Sequence, residues 1–553
     1  MPCRLIVVGD LTKYTLPCHW KVGGRAVRDA SAARIACLGR RLTLQTTWIL
    51  LRYKAAVPSA EMGIKWNGSF IPVALLVLGI ISLIALILIL VGIHNVTLPP
   101  QNKYGLVFDA GSSHTALFVY QWPADKENNT GMVSQTFSCH VNASGISSFV
   151  KVPARAGDSL RECLDAAMSV IPADRQREAP TYLGATAGMR LLSRENESAA
   201  TQILTEVSKT IQEYPINFQG ARILTGKEEG AYGWITINYL LDSFTKYSLV
   251  YRDWIHPSSA SIWGALDLGG ASTQISFVPA GPITEGEEAA QFRLYGFDYT
   301  IYTHSYLCYG QNQALLHALR IIVNSSSSDR FEHPCYPMGY SENITRTSFY
   351  SSPCAERQES AASGNVILQG TGNASKCRET FQKIFNFSCG HNTSCGFNGV
   401  YQPKVNGKFL AFSAYYYTFN FLNLTEGQPL AMVEAAVQTF CAKNWAELQS
   451  TYPKEKTSHL KNYCASANFI LTLLLKGYGF NNDTWDNIAF QMQAANSDIG
   501  WTLGYMLNLT NMIPTESPSS LRGHEEGVWI ASIFFIVLML ALCLVFLLIY
   551  FLK

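Results

Sequence analysis

Two short segments carry the residue types that hold a polyphosphate. Val107-Phe108-Asp109-Ala110-Gly111-Ser112-Ser113-His114-Thr115 runs on into Ala116-Leu117-Phe118-Val119-Tyr120. Ala265-Leu266-Asp267-Leu268-Gly269-Gly270-Ala271-Ser272-Thr273-Gln274 runs on into Ile275-Ser276-Phe277-Val278. Each reads as an apolar strand, an Asp at its end, a turn of small and hydroxyl residues, and a second apolar strand. Small residues let backbone N–H groups approach an anion closely, and an Asp can hold a hydrated divalent cation. One Asp-x-Gly turn alone is more often a plain hairpin with a turn-capping Asp. The duplication changes that balance: two such hairpins facing each other would clamp a polyphosphate from both sides. Splitting a phosphoanhydride needs, besides the clamp and the cation, an oriented water and a base. Gly226-Lys227-Glu228-Glu229-Gly230-Ala231-Tyr232-Gly233 offers a carboxylate pair opening a helix. Like-charge repulsion raises one pKa of such a pair while the helix N-terminus lowers both, so the net sign stays open. Without further context, two Glu at a helix start are more often dipole partners.

The elements around these segments alternate between strand and helix. Apolar positions at helical spacing mark Ser159–Ile171, Glu197–Tyr214 and a long helix from Glu228 to about Phe244, and Thr181–Gly184 reads as a strand before Ala185–Arg190. With the repeated hairpin, this describes two α/β lobes of similar design. Most cysteines and glycosylation motifs fall between about 305 and 490, which reads as insertions stapled onto the second lobe. Phe409–Leu422 is rich in aromatic residues.

Length and composition place these lobes outside a membrane. The chain has 553 residues, 48% of them hydrophobic, and a net charge of +2 that gives no argument for nucleic acid. Phe70–Ile93 and Val528–Leu552 are charge-free runs of 24 and 25 residues, each long enough as a helix to cross the hydrocarbon core of about 30 Å. Residues 1–69 carry 11 Lys and Arg against three acids, so this flank, and with it both termini, is expected in the cytosol. Between the runs lie twelve Asn-x-Ser/Thr motifs (Asn95, Asn128, Asn142, Asn196, Asn324, Asn343, Asn373, Asn386, Asn392, Asn423, Asn482, Asn508), as a luminal or extracellular domain would have. Ten of the fourteen cysteines lie there too, an even number suited to five disulfides, and none has the Cys-x-x-Cys spacing of a zinc site. Cys3, Cys18, Cys37 and Cys543 are expected as free thiols. Residues 1–61 lack a secretory signal and clear periodicity. They read as an added extension before a functional start at Met62, against the alternative of a basic cytosolic tail touching anionic lipid.

Asp109–Thr115, Ala185–Arg190, Glu228–Trp234, Asp267–Gln274 and Gly500–Asn508 resemble, in order, the five signature regions of the ectonucleoside triphosphate diphosphohydrolases. The similarity runs from about Gly63 to Leu552, and Lys246–Ser248, Thr303–Cys308 and Glu525–Ala531 narrow it to one branch of the cell-surface, two-span members. The resemblance implies an α/β fold of two ribonuclease-H-like lobes of the actin, hsp70 and sugar-kinase type, set between two transmembrane helices (70–93 and 528–552). Lobe I would span 102–225, lobe II 226–489, with a return to lobe I over 490–514 and a stalk over 515–527. It implies Glu229 as the base, with Ser272 and Gln274 orienting the attacking water. Ser112, Ser113, His114, Thr186, Gly270 and Ala271 would contact phosphate. Asp109 and Asp267 would hold Ca²⁺ or Mg²⁺ through water. Tyr417 would stack on the nucleobase, with an opposing contact near His459–Tyr463, while Trp501 and Arg190 support the site.

The implied disulfides are Cys139–Cys163, Cys308–Cys354, Cys335–Cys377, Cys389–Cys395 and Cys441–Cys464. The implied activity is extracellular hydrolysis of ATP, ADP, UTP and UDP to monophosphates at the plasma membrane, serving purinergic signalling and nucleotide salvage. Expected partners are a nucleotide and the bilayer, with no nucleic acid, and homo-oligomers are left open. Lys227 departs from the pattern, standing where many relatives have Gln; beside the base, it is expected to alter the Glu229 pKa or the handling of tri- against diphosphates.

Overall fold

In a computed structural model of the full chain, the described residues are 70–551 apart from 91–92, 98–101, 125, 127–131, 245, 249–252, 256–260, 326–327, 356–363, 391–393, 514–519 and 525. The extension 1–61, the lead 62–69, residues 515–519 and 525 of the stalk, Cys3, Cys18, Cys37, Asn128 and Asn392 lie outside them. Two units emerge: 1–94 with 523–553, and 95–522. In the first, helices Phe70–Leu90 and Glu526–Phe551 pack together, and the Ser82 hydroxyl donates to Met539 Sδ at 2.7 Å. Among the described residues one helix is long and apolar enough to cross a membrane, over Gly527–Phe546. The expectation of two such helices is met for the C-terminal one; in the other, the apolar stretch among described residues is the shorter Leu76–Ile89.

In the second unit, strands β1 (Asn102–Ala110), β2 (Thr115–Pro123), β3 (Ser134–His140), β4 (Pro180–Ala185) and β5 (Asn217–Ile223) form one sheet in the order β3-β2-β1-β4-β5. β2 is antiparallel to both β3 and β1, while β4 and β5 run parallel to β1. Strands β6 (Gly264–Leu268), β7 (Ser272–Phe277), β8 (Ala289–Leu294), β9 (Phe297–Leu307), β10 (Phe409–Ser413) and β11 (Ile488–Phe490) form a second sheet in the order β8-β9-β7-β6-β10-β11. From β9 to β11 it repeats the first sheet: an antiparallel pair of joins, then a parallel pair. The sequence-based duplication is therefore a duplication of whole sheets.

Alternation along β1 and β6 decides where the Asp side chains go. Leu106, Phe108 and Ala110 enter one core, whereas Val107 enters a central core shared with Ala265, Trp234 and Tyr505. On β6, Leu266 and Leu268 enter the outer core of the second lobe, and Ala265 the central one. With a side-chain period of two, Asp109 and Asp267 lie on the strand faces that look into this central layer.

Helix α1 (Ala187–Glu195) follows β4 directly, and Asn196 caps α2 (Glu197–Gln212) by accepting from the Ala199 N–H. The central layer is built by α3 (Gly226–Leu240) against α7 (Trp501–Thr510), with α4 (Gln311–Val323), α5 (Ala414–Phe421) and α6 (Tyr463–Thr472) completing the second lobe. α3 is buried along Glu229–Asn238, so tertiary packing rather than amphipathicity holds it. Thr236 Oγ1 donates to the Gly500 carbonyl at 2.6 Å and accepts from Gly504 N–H at 2.8 Å. A Cβ at Gly504 would overlap the Tyr232 carbonyl, so glycine permits this close crossing. All five disulfides join the pairs that the resemblance implies. Cys543 is free.

Candidate active site

The two Asp-tipped turns meet across the central layer. A Cβ at Gly270 would stand 2.7 Å from Ser112 Oγ, 3.0 Å from Ser113 Oγ and 3.0 Å from Asn312 Nδ2. The turns have their backbone acceptors tied back: Thr186 N–H donates to Ala110 O and Gly145 N–H to Ser113 O. On the other side Gln311 N–H holds Gly269 O, Asn312 N–H holds Gly270 O and Cys308 N–H holds Ala271 O. Thr186 heads α1 without spending its hydroxyl on a cap, and it is buried. The His114 ring lies 6.0 Å from that of His140, and burial followed by the His140 charge lowers its pKa, which favours the neutral ring.

Glu229 is 6% exposed and gathers donors onto one oxygen. Arg190 Nη2 reaches its Oε2 at 2.8 Å and Gln274 Nε2 the same atom at 3.1 Å. Ser272 Oγ accepts from both of those side chains, at 2.9 and 2.7 Å. Gln274 Nε2 also contacts Ser305 Oγ at 2.9 Å, while Gln274 Oε1 is buried without a partner. Such an orphaned acceptor beside a carboxylate is a place for a donor from solvent or substrate. Arg190 further binds the Leu224 carbonyl at 3.0 Å, so one guanidinium fixes the Glu229 carboxylate, a hydroxyl and the chain just past β5 together.

Asp109 and Asp267 share this electrostatic field. Desolvation, then the Glu229 charge, pushes the Asp109 carboxyl from 3.8 up to about 7. Desolvation, Glu229 and Asp109 push Asp267 to about 8, against pulls from Ser413 and Arg190. Asp109 Oδ1 has no hydrogen-bond partner, and neither has the buried Trp501 Nε1. Gly184, opposite Asp109 in the register, makes room for the Trp501 ring, which a Cβ there would overlap. Three crowded carboxylates with one guanidinium among them are short of positive charge, and a cation beside the two Asp would supply it. Among the described residues no group of three or more His, Cys, Asp or Glu forms a protein-only cage for a metal. Such a donor set suits an ion held largely by water and substrate oxygens.

The carboxylate pair that residue types alone left undivided, and that the resemblance divided in favour of Glu229, is divided by geometry as well. Glu228 closes a capping box: Thr225 Oγ1 accepts from Glu228 N–H, and Glu228 Oε2 accepts from Thr225 N–H at 2.9 Å. Burial works to raise its pKa, but Arg222 and Thr225 outweigh it and the pKa falls. Glu228 is a structural cap; Glu229 faces the cleft. Lys227 turns elsewhere, its ammonium donating to the Glu287 carbonyl at 2.8 Å, so the expected influence on Glu229 has no direct contact behind it.

Of the tyrosine cluster, Tyr415 is fully buried with its hydroxyl 3.3 Å from Thr273 Oγ1, whereas Tyr417 is 54% exposed and packs edge-on against Tyr416. Tyr463 stacks on Phe421 at 3.6 Å, Lys461 is committed to Glu342, and His459 is exposed beside Glu455. Ser305 and Ser413 were not singled out in the sequence. Ser305 is the cross-strand partner of Gln274 and could have been found from pairing; nothing local marks Ser413.

Two duplicated sheets with an acid-lined cleft between their phosphate-type turns define a phosphate-transferring or phosphate-releasing enzyme. The chain belongs to the GDA1/CD39 (nucleoside phosphatase) family, which matches residues 95–522, and is a nucleoside phosphatase. It is 53% identical over 476 residues to ectonucleoside triphosphate diphosphohydrolase 8 of Gallus gallus, covering 86% of this chain and 96% of that one. It is 49% identical to the Homo sapiens protein of the same name (84% and 93% covered) and 46% to ectonucleoside triphosphate diphosphohydrolase 2 of Mus musculus (86% and 95%). A crystal structure of nucleoside triphosphate hydrolases from Neospora caninum superposes with a TM-score of 0.53 at 13% identity, over 76% of this chain and 94% of that one, which shows a shared fold. Enzymes of this family depend in general on a divalent cation.

Proposed function

We propose that the chain hydrolyses extracellular nucleoside tri- and diphosphates, among them ATP, ADP, UTP and UDP, to monophosphates and phosphate. The observation that carries this reading is the convergence of Arg190 and Gln274 on Glu229 Oε2, with Ser272 bridging both donors. Ser112, Ser113, His114, Thr186 and the backbone of Gly270 and Ala271 hold the phosphate chain. Gln274 Oε1 accepts from a water placed beside Glu229, and the carboxylate takes that water's proton as it attacks the terminal phosphorus in line, without a phosphoenzyme. Asp109 and Asp267 would hold Ca²⁺ or Mg²⁺ through water, which supplies charge neutralisation for the phosphates. Tyr417 offers its exposed face to the base; stacking tolerates any base, in keeping with broad nucleotide use.

The unit 95–522 is placed outside the cell at the plasma membrane, with Phe70–Leu90 and Glu526–Phe551 as two spans and both termini cytosolic. Twelve glycosylation motifs and five disulfides support an oxidising compartment. The test is phosphate release from intact cells, with no sugar acceptor present. Glu229→Gln, surface-exposed and folded, should lose about 10³-fold in kcat. Wild-type turnover in that variant would refute the base assignment, and a need for an acceptor would turn the reading to a kinase.

A further inference from the structure

Helix α3 lies close on the β7–β9 pair, and two glycines make room for it. A Cβ at Gly226 would stand 2.3 Å from Ser305 Cβ and 2.4 Å from its Oγ; one at Gly230 would stand 2.8 Å from both Ser276 Oγ and Thr303 Oγ1. Residues four apart share a helix face, so α3 settles glycine-first onto these polar side chains. In the register Ser276 opposes Thr303 and Gln274 opposes Ser305, and opposed residues project to the same face. The first pair is closed on itself, hydroxyl to hydroxyl at 2.7 Å. The second pair reaches the reacting end of the cleft. Gln274 Nε2 donates to Ser305 Oγ at 2.9 Å across the sheet and to Ser272 Oγ at 2.7 Å on its own strand, and it meets Glu229 Oε2 at 3.1 Å on the helix above. An amide nitrogen carries two hydrogens, so three acceptors are one more than it can serve singly. Turned over, the amide would set Oε1 against the Glu229 carboxylate, oxygen on oxygen. The nitrogen is therefore pinned from three directions, and Oε1, buried without a partner, inherits a fixed place. Ser272 and Glu229 also bind Arg190, whereas among the described residues the Ser305 hydroxyl is engaged by Gln274 alone.

We propose that Ser305 is a positioning residue for hydrolysis: its hydroxyl anchors the Gln274 amide across the sheet and so holds Oε1 where the attacking water donates to it. This rests on the reading of Gln274 as the residue that orients that water. Ser305 acts through Gln274, and the close seating of α3 at Gly226 keeps the hydroxyl from turning away.

The test measures phosphate release from ATP by the full-length protein in membranes, for Ser305→Ala, Gln274→Ala, the double variant and Ser276→Ala. Ser305→Ala deletes one oxygen and adds no bulk; it should lower kcat about tenfold, less than the roughly 10²-fold that a misplaced reacting group can cost, and leave Km for ATP unchanged. In the Gln274→Ala background the same substitution should change kcat by less than about twofold, because the group it positions is gone. Ser276→Ala opens the neighbouring hydroxyl pair and should lower Tm while kcat stays at the wild-type value. If Gln274→Ala is slow but Ser305→Ala turns over like wild type, or loses as much with Gln274 as without it, the proposal fails and the water-orienting reading stands. An equal kcat loss in Ser276→Ala would likewise overturn it, since any hydroxyl under α3 would then matter. Wild-type turnover in Gln274→Ala would remove the water-orienting reading and this proposal with it.

Discussion

The two lobes are built on one strand scheme, yet they differ at the position facing each Asp. Ala116 lies across from Asp109, whereas Gln274 lies across from Asp267. Directly opposed residues of an antiparallel pair project to the same face. In the first lobe that face therefore offers only space beside the carboxylate. In the second it offers an amide that reaches Glu229, Ser272 and Ser305. The strand-to-helix junctions diverge in the same sense: Thr186 leads into α1 and Arg190, Ser413 into α5 and Tyr417. The two turns are alike, and the side chains gathered on Glu229 Oε2 break that likeness, with Gln274 on the second sheet alone. Arg190 crosses the divide, since it rises from the first lobe and binds Ser272 of the second.

The sharpest way to break this comparison is to make the lobes alike. Gln274→Ala places at β7 what β2 already has, and kcat should fall about 10²-fold, with Km for nucleotide little changed, because water orientation is lost while the phosphate clamp stays. A comparable kcat in this variant would mean that the asymmetry is packing alone. Cutting the cross-lobe strut comes next. Arg190→Ala leaves Glu229 buried and unpaired, which typically costs about 3–5 kcal/mol, read as a lower Tm together with lost activity. Arg190→Lys restores charge without the fork, so it should recover more Tm than kcat.

The two Asp can be compared through pH. Both carboxyls stand above their ordinary 3.8, at about 7 and about 8, so the folded, cation-free protein keeps protons that the unfolded chain has released. Its stability must then fall as pH rises from about 4 through the raised values, the reverse of a salt-bridged Asp. In chelator, Tm should drop between pH 5 and 8.5 by an amount worth on the order of 2 kcal/mol per carboxyl, after allowing for solvent in the cleft. Added Ca²⁺ should restore more Tm at pH 8 than at pH 5. Asp109→Asn and Asp267→Asn should each flatten the chelated profile, since both carboxyls are raised.

Much of this was legible in the chain because the signals are local. Strand, Asp, small-residue turn and strand occur within about fifteen residues, and alternation along β1 and β6 sends both Asp to one layer. The choice between Glu228 and Glu229, which the resemblance made for Glu229, was also carried by a local signal not used: Thr225-x-x-Glu228 is a capping box, which marks Glu228 as the structural partner. The direction of Lys227 was illegible because its partner, the Glu287 carbonyl, is sixty positions away on another element. Ser413 was illegible for a different reason. Its positive φ sits where β10 turns into α5, and a serine at the end of an apolar strand looks like any other.

The weakest expected effect probes how far the asymmetry extends toward the nucleoside. Within one helix turn of α5, Tyr415 is buried against Thr273 and Tyr417 is half open to solvent. If Tyr417 is the stacking face on the second lobe, Tyr417→Ala should raise Km about tenfold, equivalent to 1–2 kcal/mol of stacking, by a similar factor for ATP and UTP, with kcat within twofold of wild type. Tyr417→Phe should keep wild-type Km, because the ring face and not the hydroxyl makes the contact. A Km unchanged in Tyr417→Ala would confine the second lobe's specialisation to the phosphate end of the cleft, and a base-dependent change would point to edge hydrogen bonds that stacking does not explain.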